Sequence, residues 1–286
     1  MPALAIADHG NIFGAIEFYQ AAVRCGIKPI IGCECYIAPG SRFDKSPSQG
    51  RKGISHLVLF AKDETGYHNL MKLISLSYLE GFYYKPRMDK ESLMKYSKGL
   101  LATSACLKGE VAWVLRNEGF NNALKVADEL EQIFGKGNFY LELMENNIPE
   151  QRTVNEGLIK IGKELNIPLV ATNDVHYLER NQASAHEALL CVQTQTTLDD
   201  PNRMKMSTDE FYFKSPEEMK KAFAYAPQAV TNTLEIAGKC NLELDFTKIH
   251  LPRYDPPSGS TKEEFLVNLC QQGIKKRFKE TTPEIE

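Results

Sequence analysis

The chain has 286 residues, 43% of them hydrophobic and 25% charged, a length that suits one large α/β domain or two smaller ones and a composition that excludes disorder and collagen-like repeats. Its formal net charge of -3 provides no global basic field, so any contact with nucleic acid must come from a local patch. No apolar run approaches the roughly 20 residues needed to cross a bilayer, and the start "MPALAIADHG" carries no basic, cleavable leader, so the expected location is cytoplasmic, with no membrane partner. Seven scattered cysteines without a C-x-x-C pair speak against a disulfide framework.

In chain order, Ala3 to Ala7 reads as a buried strand, and Phe13 to Cys25 as a helix whose Ala15, Phe18, Tyr19, Ala22 and Val23 share one face. Pro29 to Ile37 and Leu57 to Ala61 read as strands, and a helix follows around Tyr67 to Tyr78. Next come a strand at Leu100 to Ser104, helical stretches across 109 to 134, a strand at Phe139 to Leu143, a helix over 150 to 165 and a strand at Pro168 to Thr172. Such alternation predicts a parallel sheet or barrel. After about residue 180 helices take over: 182 to 195, then "SPEEMKKAF", with Ser215 as N-cap, Pro216 at N1 and Glu218 at N3. "LPRYDPPSGS" (251 to 260) reads as a linker into a helix that starts near Thr261 and ends in "KKRFK". The expected divisions are 1–180 for the barrel core, 181–250 for a helical region and 251–286 for the linker and a new element.

In parallel sheets, chemistry gathers at the carboxyl ends of strands. Asp8 and His9, Glu34, Cys106, and the pair Asp174 and His176 all fall there, while His56, at the start of its run, fits that rule least well. If the last strand continues through residue 176, the period of two turns Asp174 and His176 to one side; the same alternation sets Glu34 opposite Cys33 and Cys35, which become packing residues. Any one of the six candidates alone reads as an ordinary packed or hydrogen-bonded side chain. Gathered at strand ends, Asp8, His9, Glu34, Cys106, Asp174 and His176 read either as a site for zinc or a similar divalent ion or as separately structural side chains. Arg87 is equally readable as a phosphate clamp or a solvated turn cation. His68, His186 and His250 read as structural, and "KKRFK" as cations favoured at a helix end.

The segments "ALAIADHGNIFGAIEFYQAAVRCGIKPIIGCE", "SHLVLFAKDETGYHNLMKLIS", "YYKPRMD", "LLATSACLKGE", "FYLEL" and "LVATNDVHYL" resemble, in order, the polymerase-and-histidinol-phosphatase (PHP) domains of bacterial DNA polymerase III alpha subunits. The resemblance implies a distorted seven-stranded, TIM-like α/β PHP barrel over 1–180, a helical end of the same domain over 181–250, and a linker and the start of the polymerase body over 251–286. It implies up to three metal ions, zinc (Zn2+) or manganese (Mn2+), held by His9, Glu34, His56, Cys106, Asp174 and His176. In that family an H-x-H pair and a carboxylate stand on a first strand upstream of "PALAIADHG", and the polymerase palm acids that hold magnesium (Mg2+) lie beyond residue 286. The sequence therefore reads as a fragment lacking both. For the parent protein the resemblance implies DNA-templated DNA synthesis on a primer-template. It also implies replisome partners: the sliding clamp, proofreading subunit and clamp loader. For this domain it leaves three readings: a metal-dependent 3′-5′ exonuclease, a non-catalytic metal-stabilised scaffold, or a free-standing PHP phosphoesterase.

Overall fold

A computed structural model of the chain describes residues 1–46, 53–248, 251–278, 280, 282–283 and 285; His250 and Lys279 lie outside the described residues. The elements, in order, are β1 (Ala3–His9), α1 (Ala15–Arg24), β2 (Lys28–Ile37), β3 (Ser55–Ala61), α2 (Glu64–Leu79), β4 (Arg87–Met88), α3 (Lys90–Tyr96), β5 (Leu100–Thr103) and α4 (Glu110–Asn117). They continue through α5 (Phe120–Phe134), β6 (Phe139–Met144), α6 (Pro149–Leu165), β7 (Leu169–Thr172), α7 (Ala183–Thr194), α8 (Pro216–Ala222), α9 (Pro227–Lys239) and α10 (Lys262–Arg277). Local chemistry explains many of the boundaries. Asp63 caps α2 by accepting from the Gly66 N–H at 2.8 Å, and Ser215 and Glu218 form the reciprocal capping box of α8.

One curled sheet runs in the order β1-β2-β3-β5-β6-β7, with β4 beside β2. It is mixed rather than all-parallel: β3 is antiparallel to both β2 and β5. Pairing fixes which side chains share a face. His9 stands opposite Glu34, and Tyr36 opposite His56, so these four point to one side, together with Thr103, Glu142 and Thr172 farther across the sheet. At its other end the same face is apolar. Ile30, Leu101, Tyr140 and Val170 form a small core there with Ile236 and Cys240 from the end of α9. The opposite face carries the large core, with Cys33, Cys35, Leu57, Leu59, Leu141 and Leu143 packed against helices α2, α4, α5 and α6. The two cysteines are fully buried and pack there, as the alternation predicts.

Residues Met1–Glu243 form one compact unit and Leu244–Glu286 a second. The helices that follow residue 180, through α9, lie within the first unit. Helix α9 returns to the sheet, where Asn232 donates to the Leu169 carbonyl at 2.7 Å and Ile236 fills the small core. The second unit holds α10, whose N-cap Thr261 forms a capping box with Glu264.

Candidate metal centre

The site assembles at the rim where β1 and β2 end. His9 closes β1, and the chain then turns sharply through Gly10, whose φ of +68° is left-handed and whose missing Cβ leaves room for Pro86 Cγ, which would lie 2.9 Å from it. Glu34 projects beside His9, with His9 Nε2 3.6 Å from Glu34 Oε2. His56 Nδ1 lies 2.6 Å from Glu34 Oε1. One ligand atom from each of His9, Glu34 and His56 lies within 4.8 Å of the others. The antiparallel course of β3 explains why His56 breaks the strand-end rule: the start of a reversed strand lies at the same rim as the ends of its parallel neighbours.

Cys106 enters from the loop after β5. That loop is docked on β3, with the His56 N–H donating to the Lys108 carbonyl at 3.0 Å, and it brings Cys106 Sγ to 3.7 Å from His56 Nδ1. Asp174 and His176 come from the loop after β7. The expected continuation of the strand through residue 176 is corrected: β7 ends at Thr172, Asp174 takes a left-handed φ of 50°, and the His176 N–H donates to the Phe211 carbonyl at 2.8 Å. The turn nonetheless keeps the pair together, with His176 Nδ1 3.8 Å from Asp174 Oδ1. His186, which sequence alone suggests is structural, lies edge-on to His176 at 5.4 Å between ring centroids.

Electrostatics bind these groups into one neighbourhood. Burial drives the Glu34 carboxyl upward, but the hydrogen bond from His56 and the charges of His9 and His176 prevail and leave it below its usual range. Burial lowers His9, helped by His56, His176 and Lys108 and opposed by Glu34. Burial raises Asp174, with His176 opposing and Glu34 adding to the rise. The Cys106 thiol is pushed up to about 12 by burial and then by the charges of Asp174 and Glu34. Imidazole, carboxylate and thiol donors concentrated in this way suit a divalent cation, whose charge would reverse the upward shifts of Asp174 and Cys106 and reinforce the downward shifts of His9 and Glu34.

Arg87 is placed elsewhere. It is only 3% exposed, and its guanidinium donates to the carbonyls of Gly81 at 2.9 Å, Arg42 at 3.2 Å and Asp44 at 2.9 Å. A side chain so committed has no free fork for a phosphate; the clamp reading is corrected to a brace of the turn ahead of β4.

Sequence reasoning missed Glu142. It accepts from the hydroxyls of Thr103 and Thr172 and from the Ala105 N–H, which joins the ends of β5 and β7 beneath the centre. Burial raises its carboxyl to about 7, the two threonines oppose, and Glu34 and Asp174 add to the rise. The signal available was an acid inside the otherwise apolar "FYLELM", all six residues of which are buried.

The PHP domain family matches residues 1–146. The chain belongs to the PHP family. Curated relatives called DNA polymerase III subunit alpha are 46% identical over all of this chain in Borreliella burgdorferi, 43% over 97% in Thermus aquaticus and 47% over 94% in Helicobacter pylori. This PHP chain spans about a quarter of the length of those relatives: 25%, 23% and 23% respectively.

Proposed function

We propose that this chain is the PHP portion of a replicative DNA polymerase alpha subunit and that its rim cluster is a metal-dependent phosphodiesterase acting on the 3′ end of a DNA strand. Convergence of His9, Glu34 and His56 within 4.8 Å on the polar end of the sheet's inner face carries this reading. In it, His9, Glu34 and His56 hold a zinc or manganese ion, with Cys106, Asp174 and His176 as further donors around the same rim. Such an ion, when bound, supplies Lewis acidity and lowers the pKa of water toward about 7. The chain's own part is to orient the donors. Glu34 fixes the His56 ring through Nδ1, the Tyr36 ring backs His9 at 5.6 Å, and Glu142 holds the loop that carries Cys106. The names of the relatives support DNA synthesis by the whole protein, for which this reading takes magnesium, a primer-template and other replisome subunits as partners.

The test is release of mononucleotides from a 3′-ended oligonucleotide by the zinc- or manganese-loaded protein. Release should stop with a chelator and fall in Glu34→Gln by more than the roughly 10- to 100-fold that residues merely supporting a ligand cost. Absence of metal-dependent release from the loaded protein would remove the phosphodiesterase reading and leave the metal a structural role.

A further inference from the structure

The turn between α2 and β4 presents an aromatic ring beside the centre. Tyr84 is 80% exposed, yet its backbone is left-handed at φ 59°, an uncommon conformation for a bulky residue that persists only where its surroundings impose it. The surroundings do so here. Gly81 abuts the Arg87 carbonyl so closely that a Cβ would lie 1.9 Å from that oxygen. Arg87 grips the carbonyls of Gly81, Arg42 and Asp44 and lies 5.2 Å from the Tyr83 ring centre, and Tyr83 meets Tyr84 edge-on at 4.6 Å. The Tyr83 N–H closes the turn on the Lys85 carbonyl at 3.1 Å.

This rigid turn leans on the rim. Pro86 packs at Gly10, the residue after His9, and Lys85 Nζ stands 5.4 Å from the centre of the Tyr36 ring, which stacks on His9. The half-buried Tyr36 ring thus neighbours both His9 and the Lys85 cation, and the exposed ring of Tyr84 precedes Lys85 in the same turn. Lys108, close enough to lower His9, adds a second cation at the same rim. A small phosphate ester needs no exposed ring, and a helical protein partner needs an apolar groove, whereas a ring next to a cation matches the alternation of base and phosphate along a single strand.

We propose that Tyr84 and Lys85 form the strand-recognition edge of the centre, Tyr84 stacking on a base of a single-stranded polynucleotide while Lys85 meets the adjoining phosphate. This assignment rests on the phosphodiesterase reading and names the residues that would hold its strand. The experiment reads binding rather than turnover, so the two ideas fail separately: fluorescence anisotropy of a labelled oligothymidylate with the protein in chelator, competed with inorganic phosphate. Tyr84→Asn removes the ring while suiting the left-handed backbone and should weaken binding about 5- to 100-fold, whereas Tyr84→Phe should bind like the parent. Lys85→Ala should lower the dependence of affinity on salt by about one phosphate contact. Parent-like binding by Tyr84→Asn would overturn the proposal, as would an oligonucleotide displaced by inorganic phosphate as readily as by unlabelled strand. Should Tyr84→Asn lose its fold, an unaltered salt dependence in Lys85→Ala is the overturning result.

Discussion

Glu142 is buried, and its carboxyl is held at about 7 by that burial, against an ordinary value of 4.5. At pH 5.5 an unfolded chain has released this proton while the folded chain keeps it, so stability falls as pH rises from about 4.5 to about 7 and then levels off. The full effect is on the order of 3 kcal/mol at 1.36 kcal/mol per unit. Glu142→Gln keeps an acceptor for Thr103 and Ala105 and a donor for Thr172, so denaturant unfolding of the metal-free variant should lose that decline. An equally steep decline in the variant would show that other groups cause it. Residue-scale legibility was uneven for a physical reason. His9 and Glu34 were readable because each stands near the end of an apolar strand. Asp174 and His176 were readable as a pair, but by the wrong geometry, since a left-handed turn rather than the strand period brings them together. Glu142 gave only its chemical improbability, because the partners that make it tolerable lie 30 to 39 residues away.

The elements themselves were largely legible, because apolar periodicity and caps act locally. The direction of β3 was not, since nothing in "SHLVLFA" records whether its neighbours run with or against it; that direction sets His56 at the rim. Arg87 shows the same limit. A cation in "YYKPRMD" looks available until three backbone carbonyls, two of them more than 40 residues away, surround it. Arg87→Ala should therefore cost stability, on the order of 3 kcal/mol for losing a charged donor to buried carbonyls. Urea denaturation reads this directly, and a loss below about 0.5 kcal/mol, the range of ordinary surface substitutions, would show that the turn stands without its brace.

For the whole molecule, the division after Glu243 predicts that limited proteolysis cuts first within the exposed stretch around Leu251 and Tyr254 and leaves a resistant species close to Met1–Glu243. A first cut between α7 and α9 would contradict the packing of α9 against β7. A metal held as proposed would join the same unit from several directions, since β1, β2, β3 and the loops after β5 and β7 all send side chains to one rim. Zinc at a hundred times its dissociation constant should add about 2.7 kcal/mol to that unit's stability. The melting temperature should rise accordingly and fall back with chelator, and an equal rise in Glu34→Gln would locate the ion elsewhere. The inner face of the sheet is stoppered at one end by Ile30, Leu101, Tyr140, Val170 and Ile236, and polar at the other. A polar group approaching this face along the strands is therefore received at one end alone, because at the other the sheet is already closed by its own side chains.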